Sequence, residues 1–180
     1  MKTWFRFATL SWIAALLSAP VAVYAQGESA SNPAPVGTWL LTVSFAGGNP
    51  PPFKEILTLH HGGTVTETNG SLNAASGLLP PPFNLIGSDG QGTWQRMPGG
   101  MIGVAFSKIV FCSAASFAFC APGQEGQQLG YLQVRFQARI SGDTLTVDPA
   151  NSSTVLILGP DPGGPVVDFG SAASAGVRLH

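Results

Sequence analysis

The chain is poor in charge, cysteine and histidine, and each shortage excludes a class of function. Charged residues are 9% of its 180 positions, against about 25% in ordinary soluble domains. Beyond residue 25 the bases are Lys54, Arg96, Lys108, Arg135, Arg139 and Arg178, fewer than the nine acids. Nucleic acid is thereby excluded as a partner, because neutralising a phosphate backbone takes a basic patch. The three histidines (His60, His61, His180) and two cysteines (Cys112, Cys120) lie too far apart in sequence to suggest a four-ligand zinc set, so no metal is expected. A phosphate loop, a dinucleotide fingerprint, HExxH and Cys-x-x-Cys are all missing, and no cofactor is expected. After the leader, no apolar pattern of period 3.6 runs far enough to predict a helix.

What is present begins with an export leader. Lys2 and Arg6 precede an apolar run from Phe7 to Leu17, and Val23-Tyr24-Ala25 supplies the small residues of a cleavage site. The run is about half the roughly 20 residues a membrane-spanning helix needs, and no cysteine follows the site to carry a lipid. Residues 1–25 are therefore expected to be a signal peptide, leaving a secreted or periplasmic product with no membrane span. Residues 26–36 are small, polar and proline-containing, the composition of a flexible linker. The domain is then expected over residues 37–180. In an oxidising compartment Cys112 and Cys120 are expected to pair, stapling a short loop rather than the whole fold.

The rest of the chain reads as strands. Trp39, Leu41, Val43 and Phe45 alternate with Thr38, Leu40, Thr42 and Ser44, the period of a strand with one face in a core. Phe53–His60 and Thr64–Thr68 flank Gly62-Gly63, which predicts a hairpin because the turn needs positive φ. Asn69–Ser88 reads as a long loop. Strands are expected again at Gly92–Met97, at Met101–Phe111 and, with the cleanest alternation, from Tyr131 to Ile140. Thr144–Val147 with Thr154–Leu158 reads as one interrupted strand or two short ones, and Val166–Phe169 and Ala175–Leu179 are the last candidates. Regular short strands punctuated by glycine and proline predict an all-β sandwich or barrel.

The opening Gly37-Thr38-Trp39 and the closing Arg178 resemble the lipocalin-like and avidin-like barrels of the calycin superfamily. The resemblance implies an antiparallel up-and-down barrel of about eight strands, with Trp39 plugging its base and Arg178 packed over the indole. It also implies binding of a small apolar molecule, with Trp39, Leu41, Val43, Phe45, Trp94, Val104 and Phe106 as candidate cavity residues. Two other readings stay open: a filled barrel serving as an envelope or interaction protein, and a cofactor-free cyclase or isomerase working inside the cavity.

Few polar residues suggest a site. His60 and His61 end a strand beside a glycine turn, where exposed polar residues need no function, and no catalytic residue is assigned. Glu55 and Glu67 share one hairpin and would make an acid–base pair if they faced inward. They are expected on the solvated outer face, because unpaired buried carboxylates are costly. Arg135 and Arg139 lie on the polar face of their strand, suited either to an anionic head group or to plain solvent exposure. Asn69-Gly70-Ser71 and Asn151-Ser152-Ser153 are glycosylation sequons.

Overall fold

The computed structural model describes residues 34–46, 48, 50–70, 72, 85–113 and 119–180. The expected signal peptide, most of the linker, and Ser71 of the first sequon lie outside them. Among these residues ten strands are formed: β1 (Gly37–Phe45), β2 (Phe53–Leu59), β3 (Thr64–Asn69), β4 (Ile86–Gly87), β5 (Gly90–Met97), β6 (Met101–Phe111), β7 (Gln128–Ser141), β8 (Thr144–Leu158), β9 (Val166–Gly170) and β10 (Ala172–Leu179). Eight of them close an antiparallel barrel in the order β1-β2-β3-β5-β6-β7-β8-β10, with β10 returning to β1. The expected up-and-down topology is thus observed. No helix among the described residues is long and apolar enough to cross a membrane.

Two strands stand outside the ring. β4 pairs with the end of β6, inside the stretch expected to be loop. β9 pairs with the second half of β8, while β10 pairs with its first half, so β9 and β10 run end to end along one edge. Ser152 bridges the gap between them: its hydroxyl accepts from the Ala172 amide and donates to the Ala172 carbonyl, both at 2.8 Å. Opposite the gap, Phe136 pairs with Ser152 and Ala138 with Val147, so Asp148–Asn151 form an excursion from the ladder. The interrupted strand read from the sequence is one strand carrying this bulge.

The base of the barrel is solid. Trp39, Leu41, Leu57, Leu59 and Leu145 are fully buried there, packed with Val104, Phe136, Ile140 and their neighbours. Trp39 and Arg178 are register partners on β1 and β10, and the guanidinium carbon lies 4.3 Å from the indole centroid. The indole Nε1 donates to Pro35 O at 3.1 Å. Arg178 donates to Val36 O at 2.6 Å and Ala34 O at 2.7 Å, and pairs with Asp143 at 3.1 Å. Gly37 is required beneath it: its φ is 142° and a Cβ there would meet Arg178 Nη1 at 2.6 Å. Arg178→Ala is expected to cost about 1–2 kcal/mol and to couple to Trp39→Phe by at least about 0.5 kcal/mol. Strictly additive urea midpoints in that cycle would show that the lid and the plug act separately.

A second, smaller cluster sits at the other end. Leu72, Leu85, Val110, Leu129 and Leu156 pack around Cys112 and Cys120, which form the expected disulfide. The Cys112 amide and carbonyl bond Gln127 and Gly126, both at 2.9 Å, so the staple joins the end of β6 to the approach to β7.

Candidate functional site

Between the two clusters lies a cavity of about 550 Å³, within the 300–1,000 Å³ usual for small-molecule sites. It occupies the end of the barrel away from Trp39, where β9 leans off the ring. Its walls are mostly apolar, with Val43, Phe53, Phe106, Val134, Phe136 and Phe169 prominent. Alternation explains them. Phe106 pairs with Val134 across β6 and β7, and Val104 with Phe136, so these strands turn a mostly apolar face inward.

The same alternation carries charge inside. On β2, Leu57 and Leu59 face the core, which puts Glu55 on the inner face as well, at 7% exposure. On β3, Val65 faces inward and so does Glu67, 2% exposed; on β6, Lys108 sits between Phe106 and Val110 and is 2% exposed. The expectation that Glu55 and Glu67 face solvent is therefore corrected. Glu67 has a partner that offsets part of the penalty of burial: Lys108 Nζ lies 2.6 Å from its Oε2. The contact is a buried ion pair, while Oε1 accepts from Asn69 Nδ2 at 2.6 Å.

Glu67 and Lys108 are on strands separated by β5, and a missing side chain lets them meet. Gly90 is the register partner of Glu67. A Cβ at that position would lie 2.7 Å from Glu67 Oε2 and 2.8 Å from the Phe106 ring. The glycine is needed for space, since its φ is not among the positive ones. Gly90→Ala is expected to push the pair apart and cost about 1–3 kcal/mol in urea unfolding, as overpacking of a filled core does. An unchanged midpoint would mean that the pair has slack.

Glu55 has no such partner. Its carboxyl belongs to the cavity wall beside Lys108, and no hydrogen bond or salt bridge to it is found among the described residues. Burial, followed by the nearby Glu67 carboxylate, raises its pKa from 4.5 to about 8, with Lys108 opposing the rise. Glu67 is raised as well, by burial first, against the pull of Lys108 and Asn69. A protonated carboxyl at neutral pH is an unusual group to hold in an apolar chamber, and perturbed carboxyls of this kind concentrate at functional sites.

The seven cavity candidates divide by depth. Val43, Phe45 and Phe106 line the chamber. Trp39, Leu41 and Val104 are packed in the solid base below it, because alternation selects the inner face without saying how far along a strand the filling ends. Trp94 packs against the same base, half-buried, and its Nε1 donates to His60 O at 2.9 Å. His60 itself is exposed, with Nε2 at 3.0 Å from Thr66 Oγ1, and His61 is exposed beside it. Arg135 and Arg139 are on the outer face. No group of three or more metal-ligating side chains occurs among the described residues.

Lys108 was not singled out from the sequence, although Val104, Phe106 and Val110 mark the face it shares. No protein-family model and no curated protein matches this chain. Among solved structures it is similar to a crystal structure of Rv2717c from M. tuberculosis, at 14% identity over 81% of this chain and 92% of that one, with a TM-score of 0.33. A likeness of that size transfers neither topology nor function.

Proposed function

We propose that the chain is an exported, lipocalin-like barrel that binds a small apolar molecule in its interior. The observation carrying this reading is the cavity of about 550 Å³ between two packed clusters. Its size and mostly apolar walls suit one small ligand. Export is supported by the leader-like residues 1–25 and by the disulfide. The Trp39–Arg178 contact at the base supports the calycin resemblance.

The test is titration with a neutral solvent-sensitive dye such as Nile red, in the wild type and in Val134→Trp, which places an indole in the chamber. Saturable fluorescence enhancement that Val134→Trp abolishes, with unfolding unchanged, is the expected result. Equal signals in both proteins would place the dye elsewhere. A second reading, a cofactor-free cyclase or isomerase, is favoured by Glu55, since a carboxyl titrating near 8 is suited to give or take a proton near neutral pH. Turnover of an apolar polyene or enone that is lost in Glu55→Gln would select it over simple binding.

A further inference from the structure

We propose, building on the binding reading above, that the ligand is a lipophilic amine, its ammonium seated on the Glu55 carboxylate and its hydrocarbon against Phe106, Val134 and Phe136. The inference comes from counting charge. The ionisable residues of the cavity wall are Glu55, Lys108 and Asp168, and Glu67 stands directly behind Lys108. Lys108 is taken up by Glu67 at 2.6 Å, so that pair is neutral and its cation is engaged. What faces the chamber uncompensated is the Glu55 carboxyl at its floor, since Asp168, on β9 at the outer end, is exposed and accepts from the Gly170 amide at 2.7 Å.

Charge in an apolar interior is tolerated only when it is matched. A carboxylate ligand would bring an unmatched anion to a wall whose lysine is already paired. An alcohol or ketone would meet a neutral Glu55 and gain one ordinary hydrogen bond. An ammonium gains a charge-assisted contact and balances the group that the protein leaves unmatched. Around Glu55 the flanking elements offer no competing cation: β1 contributes Leu41 and Val43, β3 contributes Glu67 and Asn69, and β6 contributes the engaged Lys108. The walls of β7, β8 and β10 nearest the chamber, such as Val134, Thr154 and Ala172, are uncharged.

Seating the amine has a proton balance. Near neutral pH the free amine is R–NH3⁺ and Glu55 is largely protonated, so forming the ammonium–carboxylate pair releases the Glu55 proton to solvent. Affinity for the amine therefore rises with pH until Glu55 is ionised without it.

The experiment is calorimetric titration of the purified protein with decylamine, 1-decanol and decanoate, which share one hydrocarbon tail, at pH 6 and 7 and in two buffers of different ionisation enthalpy. Decylamine is expected to bind about tenfold tighter than 1-decanol at pH 7, with decanoate the weakest. Close to one proton should be released per amine, and amine affinity should increase by up to about tenfold between the two pH values. Glu55→Gln is expected to bring decylamine down to the affinity of 1-decanol, because a carboxamide cannot pair with the ammonium. If 1-decanol binds and decylamine is no tighter, or decanoate is the tightest, the amine assignment is overturned while the cavity still binds. Amine preference without proton release, or surviving in Glu55→Gln, overturns the role of Glu55. Binding of none of the three overturns this inference and the binding reading together. The wild-type proton count decides the matter even if Glu55→Gln does not fold.

Discussion

Lys108→Met should destabilise the barrel by about 3–5 kcal/mol at pH 8, the cost of removing one member of a buried ion pair and leaving the other charged. Met fills nearly the volume of the lysine stem, so the loss measures charge rather than a cavity. Glu67, 2% exposed, would keep only its Asn69 hydrogen bond at 2.6 Å. The loss should shrink as the pH falls, because Glu67, whose pKa is already raised by burial, escapes the penalty by taking a proton. Adding Glu67→Gln should restore most of the stability, since then no charge is stranded. Urea midpoints at constant m-value for the two single variants and the double variant, at pH 5 and 8, check this. A cost under about 1 kcal/mol at pH 8 would mean that water reaches the pair and that the chamber floor is wet.

Much of the barrel was legible because strands repeat every two residues. The alternation at Trp39, Leu41 and Val43 and at Val134, Phe136 and Ala138 fixes which face of β1 and β7 is covered, and Gly62-Gly63 fixes the β2–β3 turn. Closure was legible only through the calycin resemblance of Gly37, Trp39 and Arg178, since nothing local to β1 says which strand lies beside it. The charged floor was misread for a physical reason. Parity along each strand puts Glu55 with Leu57 and Glu67 with Val65, yet the cost of burying carboxylates argued the other way. For Glu67 that cost is partly offset by Lys108, two strands away in the sheet, reached across the bare backbone of Gly90, and for Glu55 it is met by protonation. Sequence spacing cannot reveal a partner that depends on a neighbouring strand lacking a side chain. The depth of the filling was also hidden: Trp39 and Val43 read alike, but one is in the solid base and the other on the cavity wall.

Glu55→Gln should remove most of the pH dependence that the floor imposes on folding. The carboxyl titrates near 8 in the folded chain against 4.5 as its ordinary value. Between those values the folded chain holds a proton that the unfolded chain has lost, so stability is fully present below about pH 4.5 and falls as the pH rises toward 8. Each unit of difference is worth about 1.4 kcal/mol, which puts the whole loss on the order of 5 kcal/mol. Gln keeps the shape and hydrogen-bonding capacity of the neutral acid and cannot ionise. The variant should therefore match the wild type near pH 4.5 and exceed it by several kcal/mol at pH 9, with a shallow residual slope from Glu67, whose shift has the same sign. Urea unfolding at pH 4.5, 6, 7.5 and 9 measures both curves. Parallel curves would show that Glu55 ionises in the folded barrel as freely as in water, which would take away the proton release expected when an amine binds.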